Sequence, residues 1–408
     1  EVVDAVRFRG RGDYIVQYGD TSFREQDVVF TDASFFSVFS IPLLKGEPQS
    51  ALASPNTLVI SQTIAEKYFR DEDPMGKTLR LDNRDDYQVT GVFEDIPANS
   101  HFHFDILFAM DSLDESKSQV WVSQNFQTYI VLQEGTDWQE MEEKLTGVLE
   151  RYFGPQIAQF IGKSWEELLE DSEMFARFYL QPLRSIHLHS DLQAELEPNS
   201  DIRYVYIFSA IALFVLLIAS INFMNLATAR SAGRAKEVGI RKVFGSQKRQ
   251  LIRQFLSESV AVSLISLFLG VSIVLSVLPL YNSLSGKQFG YDQILKAPVL
   301  LGLLGIIILT GLGAGSFPAF ILSAFNPIMV LKGRFSSASK NSSLRKFLVV
   351  FQFSISILLL VGILTMVRQL DFMKNKDLGF DREQLIAVEF FGALRDEEST
   401  QRFESLKA

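Results

Sequence analysis

The chain has 408 residues, 39 basic against 48 acidic side chains, no cysteine, and a mean hydropathy of +0.14, high for a protein that is 21% charged. The charge is unevenly divided: residues 1–202 carry 16 basic and 36 acidic side chains, net −20, and residues 203–408 carry 23 and 12, net +11. Disulfides, thiolate catalysis and Cys-ligated zinc are excluded, a single soluble enzyme domain fits poorly, and an acidic soluble half would repel nucleic acid.

In chain order, Asp27–Thr31, Tyr87–Phe93 and Thr128–Leu132 read as strands, rich in β-branched and aromatic residues. Ser61–Tyr68 reads as a short helix with Ile64, Ala65 and Tyr68 on one side. Trp138–Tyr152 reads as a longer helix on Met141, Leu145, Val148, Leu149 and Tyr152, and Trp165–Phe178 as another. A mixed α+β domain over residues 1–202 is expected, long enough for a real core.

This half contains two decoys. Gly76-Lys77-Thr78 resembles the end of a phosphate-binding loop, but the glycine required five positions earlier is Asp71. His101/His103 and His187/His189 form two His-x-His pairs, which on a strand would share a face. No third ligand is marked by spacing, and zinc sites want three or four. No catalytic set, cofactor site or metal site is expected, and no Gly-x-Ser-x-Gly elbow occurs in this half.

Four uncharged runs follow: 204–229, 259–286, 297–331 with its most apolar part near 299–323, and 347–367. About 20 apolar residues cross the hydrocarbon core as a helix. Spans are therefore expected at 203–229, 255–281, 298–323 and 347–367, an all-α bundle of four. Arg230, Arg234, Lys236, Arg241, Lys242, Lys248, Arg249 and Arg253 load the 230–254 loop, with Glu237 the one acid before Gln254. Lys332, Arg334, Lys340, Arg345 and Lys346 load 324–346, while the 282–297 loop holds only Lys287, Asp292 and Lys296. The positive-inside bias puts the two basic loops in the cytoplasm and residues 1–202 and 368–408 outside.

Within the spans, Gly311 and Gly315 are four apart, a spacing that lets helices approach closely. Asn222 and Asn225 share a face, where polar side chains join helices, and Pro318 is placed to kink its span. Val238, Ile240, Val243, Phe244, Leu251, Ile252, Phe255 and Leu256 alternate with basic residues in a stretch broken near Gly245-Ser246. Such a stretch suits an interfacial helix on anionic lipid or a docking helix for a cytoplasmic partner.

The run 222–230, Asn-Phe-Met-Asn-Leu-Ala-Thr-Ala-Arg, followed by Lys236-Glu237-Val238-Gly239-Ile240-Arg241-Lys242-Val243-Phe244-Gly245, resembles the coupling region of MacB/FtsX-type ABC transporter permeases. Ser316-Phe317-Pro318-Ala319 with Val330-Leu331-Lys332-Gly333 resembles the inner end of that family's last core helix. Asp32-Ala33-Ser34-Phe35-Phe36, Pro42-Leu43-Leu44-Lys45-Gly46, Asp73-Pro74-Met75-Gly76-Lys77 and Val89-Thr90-Gly91-Val92 resemble the MacB-like periplasmic core domain.

The resemblance implies a multi-pass inner-membrane permease that hydrolyses no ATP itself. A separate cytoplasmic ATPase subunit would dock at Lys236, Glu237, Val238, Gly239, Ile240, Arg241, Lys242, Phe244 and Gly245. Its closure would pass through the helices to the outer domains, a mechanotransmission that exports or extracts a substrate. The lipid bilayer and an outer partner such as a periplasmic adaptor are implied too. A fourth span, with Leu378-Gly379-Phe380-Asp381 opening a second outer domain, resembles the long duplicated variant. The chain is then expected to be a piece of a longer protein, pairing its halves within one polypeptide or as a homodimer. The alternative is a signalling protein that recruits an outer partner, such as a cell-wall hydrolase, and moves no cargo.

Overall fold

The computed structural model describes residues 1–162, 167, 178–192, 194–324, 342–377 and 379. The chain divides after Ile202 into two compact units.

The first unit is built on eight strands: β1 (Val2–Tyr18), β2 (Thr21–Thr31), β3 (Leu43–Lys45), β4 (Thr57–Ser61), β5 (Thr78–Leu81), β6 (Asp85–Phe93), β7 (Ile106–Ala109) and β8 (Gln127–Leu132). Their order is β2-β7-β4-β6-β5-β1-β8, with β3 beside β6. β1 also pairs with β2, so the sheet closes on itself. β1 achieves this by bending. Its register with β2 shifts between Arg9 and Tyr14, Gly10 takes a positive φ of 73°, and Tyr14 Oη bonds the Gly10 carbonyl at 3.0 Å. A side chain at Gly10 would be strained there.

Alternate residues of the central strands feed two cores. Val28, Phe30, Leu58, Ile60, Ile106 and Phe108 face one, capped by helix α2 (Gln62–Phe69) through Ile64, Tyr68 and Phe69. Val29, Val59 and Leu107 face the other, with Phe8, Phe35, Phe102 and Phe104. Helix α1 (Phe35–Phe39) covers that side. Phe8 is fully buried, with five ring neighbours at centroid distances between 5.4 and 5.9 Å. Burial on both faces is why β4 reads as an unbroken run, with all five residues buried.

The strands expected at Asp27–Thr31, Tyr87–Phe93 and Thr128–Leu132 are parts of β2, β6 and β8. α2 begins one residue late because Ser61 is its N-cap, its Oγ accepting the Ile64 N–H at 3.2 Å. The long helix expected from Trp138 is divided: α3 (Trp138–Val148), a π-helical turn at Leu149–Phe153, then α4 (Gly154–Ile161). Pro155 sits in the first turn of α4 and has no N–H for the ladder, which favours a register change just before it. The helix expected over 165–178 lies almost wholly outside the described residues.

The His-x-His geometry does not arise. His101 and His103 are in the irregular stretch before β7, and His187 and His189 are in helix α5 (Leu183–His189). Residues two apart on a helix point to different sides. His103 instead ties down the end of the unit. Its N–H and Nδ1 both meet the Glu197 carboxylate, Nδ1 at 3.0 Å, and the Ser200 N–H bonds the His187 carbonyl at 2.9 Å. His101 Nε2 lies 3.1 Å from Tyr129 Oη.

The second unit is helical: α6 (Ile202–Val243), α7 (Lys248–Ser285), α8 (Ala297–Ala324) and α9 (Ser342–Asn375). Among the described residues, three segments are long and apolar enough to cross a membrane: Ile202–Ala227, Lys248–Ser285 and Lys346–Asn375. In α8 the apolar stretch Ala297–Gly313 is shorter. α6 has 42 residues, about 63 Å at 1.5 Å per residue, and so extends well past a core about 30 Å thick.

Candidate functional site: the corner between α6 and α7

α6 ends in a Schellman motif. The Ser246 N–H reaches the Arg241 carbonyl at 3.0 Å and the Gly245 N–H reaches Lys242 at 3.1 Å. Gly245 supplies the required positive φ, 95°. α7 opens two residues later with a capping box, in which the Gln247 N–H donates to Gln250 Oε1 at 3.0 Å. Both helix ends are thus satisfied by the corner itself.

The inner side of the corner is apolar. Val238, Leu251, Phe255 and Ala319 form a buried cluster flanked by Ile252 and Leu256. This joins α6, α7 and α8. Polar ties surround it. Arg241 pairs with Glu237 at 2.7 Å and donates to Gln254 Oε1 at 2.8 Å. Arg234 pairs with Glu258 at 2.5 Å, and its guanidinium lies 5.8 Å from the Phe255 ring centroid. Lys242 Nζ donates to the Ser323 carbonyl at 2.6 Å, tying the end of α6 to the end of α8. Burial, reinforced by Lys248, holds the Lys242 ammonium below its ordinary pKa.

The outer side is different. Ile240 and Val243 are exposed, and Phe244 is 86% exposed. The Schellman turn holds this ring out beyond the last helical residue. Of the residues predicted for ATPase coupling, Val238 and Gly239 are buried, Lys242 is half-buried, and Glu237, Ile240, Arg241, Phe244 and Gly245 are exposed. Lys236 lies on α6, and its side chain is outside the described residues.

The predicted packing residues divide too. A Cβ at Gly311 would stand 2.9 Å from Val260 Cγ2, and one at Gly315 would stand 2.5 Å from Ser259 Oγ. α7 and α8 therefore touch backbone to side chain at both glycines. Asn222 is exposed and Asn225 half-buried on α6. α8 continues through Pro318, whose side chain lies outside the described residues. Sequence reasoning missed Arg234, Gln254, Glu258, Ser259 and Ser323. For Ser259 the signal is the 251, 255, 259 spacing on α7, which puts Leu, Phe and Ser on one stripe.

The Gly76-Lys77 segment is structural. Gly76 turns at φ 75° into β5, and Lys77 Nζ is held by Glu72 at 2.6 Å and Tyr18 Oη at 3.1 Å.

The MacB-like periplasmic core domain family matches residues 1–148, and the FtsX-like permease C-terminal family matches residues 209–327. The macrolide export ATP-binding/permease protein MacB of Bdellovibrio bacteriovorus is 23% identical over 67% of this chain and 38% of its own length. The pyoverdine export ATP-binding/permease protein PvdT of Pseudomonas savastanoi pv. phaseolicola is 23% identical over 78% of this chain and 44% of its own. The chain thus spans well under half of these curated relatives. A crystal structure of the periplasmic region of MacB from Actinobacillus actinomycetemcomitans overlaps 43% of this chain and 78% of its own, at 16% identity and a TM-score of 0.30. With an outer-domain match on the first unit and a permease match on the helices, the chain belongs to the MacB/FtsX-type ABC transporter permeases, multi-pass proteins of the inner membrane with an extracytoplasmic segment.

Proposed function

We propose that this chain is a mechanotransmitting permease subunit. A separate cytoplasmic ATPase docks on the α6–α7 corner, and its closure is passed along the helices to the outer unit, which moves a substrate for export or extraction. The chain carries no ATP chemistry of its own in this reading. Four spans belong to it: α8, at 28 residues and about 42 Å, is long enough to be one. So do the outer placement of residues 1–202 and 368–408, an outer adaptor, and pairing with a second permease half in the same polypeptide or a second copy. Gly311, Gly315, Asn222, Asn225 and Pro318 serve packing within the bundle.

The carrying observation is the contrast between the two sides of the corner. Behind, Val238 is locked against Leu251, Phe255 and Ala319; in front, Phe244 has no cover. Exposed aromatics on rigid supports are the usual anchors of protein–protein contacts. A push on Phe244 is carried into three helices together.

Phe244→Ala leaves the buried cluster intact and is expected to weaken co-purification of the ATPase about tenfold, the loss of a moderate hot spot. Gly239 or Arg241 substitutions act in the same direction. Full association and undiminished ATPase stimulation in all three would remove the docking assignment.

A further inference from the structure

The corner at the other end of α7 has an equally odd surface. It runs from Tyr281, through the helix end at Ser285, to Lys296 just before α8, and includes a 3₁₀ turn at Tyr291–Leu295. Leu284 is 79% exposed, Leu295 73% and Tyr291 60%, with Tyr281 and Phe289 also open. A loop in water would turn such side chains inward. This one holds them out. The Asn282 amide clamps the Phe289 backbone from both sides: its Nδ2 donates to the Phe289 carbonyl at 3.1 Å, and its Oδ1 accepts the Phe289 N–H at 3.2 Å. The Phe289 and Tyr281 rings lie 5.9 Å apart. Lys287 and Lys296, both exposed, flank the group, and Asp292 is its one acid.

The depth of this corner follows from the helices. The last charge of α7 is Glu258, and Ser259 meets Gly315 of α8 there. From Ser259 to Ser285 is about 39 Å of helix, and from Gly315 to Ala297 about 27 Å. A hydrocarbon core is about 30 Å thick and about 40–45 Å with headgroups. The corner therefore falls at the far boundary of the core. Tyrosines belong there, as do lysines whose stems lie in the apolar layer and whose ammonium groups reach lipid phosphate.

We propose that Tyr281–Lys296 is a lipid anchor. Its surface takes the phosphate and glycerol layer of phospholipid, with Phe289, Tyr291 and Leu295 inserted among the upper acyl carbons. Lys287 and Lys296 sit on the phosphates, and the α7–α8 pair is held at a fixed depth. The occupant is lipid because the surface continues directly from the exposed apolar faces of both helices, and because its net charge suits an anionic headgroup. The proposal depends on α7 and α8 lying in the bilayer; which leaflet is reached depends on the topology proposed above.

These 408 residues contain no cysteine, so single labelling sites can be added to them without other changes. Tyr291→Cys and Phe289→Cys, each spin-labelled in the full chain, are reconstituted in vesicles of phosphatidylethanolamine and phosphatidylglycerol. Collision rates with oxygen and with a water-soluble nickel chelate are then compared. Leu304→Cys on α8 serves as the deep reference and Glu134→Cys, in an exposed turn of the first unit, as the aqueous one. Collision with the chelate is expected to be about fivefold lower at both corner sites than at the aqueous reference, with oxygen values between the two references. Lys287→Gln with Lys296→Gln is expected to bring the chelate rate closer to the aqueous value. Aqueous values at both corner sites, with Leu304 deep, overturn the anchor while leaving membrane insertion intact. Aqueous values at Leu304 as well overturn the membrane placement of α8 on which the anchor rests.

Discussion

The two units of this chain are stable for opposite reasons. In the first, a closed sheet buries side chains on both faces, and one core gathers the rings of Phe8, Phe35, Phe102 and Phe104 among Val29, Val59 and Leu107. Water drives that arrangement, since apolar area is the currency of its folding. In the second, most large apolar side chains remain exposed along the helices, and the buried cluster among the described residues is the small group at the α6–α7 corner. Lipid offers no such drive between helices, so association falls to close approach at small residues and to a few polar ties. Volume is therefore the sensitive quantity in the first unit, and the space between backbones in the second.

Four substitutions sharpen or break that contrast. The largest effect is expected from Phe8→Ala, which empties the centre of the ring cluster. A loss of about 3–5 kcal/mol is expected in the chemical unfolding of the outer unit, with no change in helix insertion. If both units weaken together, they are not independent. Next is Gly315→Leu, which adds atoms where even a Cβ would stand 2.5 Å from Ser259 Oγ. Overpacking costs of about 1–3 kcal/mol are expected, read as an increased α7–α8 distance between spin labels. An unchanged distance would show that close approach at this glycine does not hold the pair.

Gly245→Val tests the corner. A β-branched residue at φ 95° is expected to cost about 1–2 kcal/mol and to raise hydrogen exchange at residues 244–250, while Val238 and Phe255 stay protected. Loss of protection across the whole cluster would mean that the turn and the cluster are one cooperative piece.

The smallest effect concerns pH. Burial is the main cause that lowers the His101 pKa; His103 and His187 add to it and Glu197 opposes it. An unfolded histidine binds its proton as pH falls through about 6.5, while folded His101 binds it only lower. The outer unit is therefore expected to lose stability as pH falls below about 6.5, the range in which the unfolded histidine takes its proton first. His101→Phe should remove part of that slope in its melting temperature, and an unaltered slope would assign it to other groups.

Much of this was legible in the sequence because it depends on local pattern. Uncharged runs gave the helices, and β-branched runs gave β2, β6 and β8. Gly245-Ser246 marked the break that the Schellman turn makes. Sheet closure was not legible, because it depends on a bend at Gly10 whose partners lie far along the chain. Ser259 opposite Gly315 was hidden for a related reason: a small residue announces close approach but not the helix that approaches. The split between buried Val238 and exposed Phe244 was hidden too, since the apolar positions of that stretch read alike until the turn at Gly245 is seen.

The strap at the end of the outer unit has a mechanical consequence. Glu197 grips His103 from two directions just upstream of Pro198, and Ser200 is pinned to α5. Tension travelling up α6 would not peel the chain away from its end, one backbone bond after another. It would meet the Ser200 fastening to α5 first and the crosswise Glu197 fastening next, and be handed to the loop before β7, a strand paired on both edges in the closed sheet.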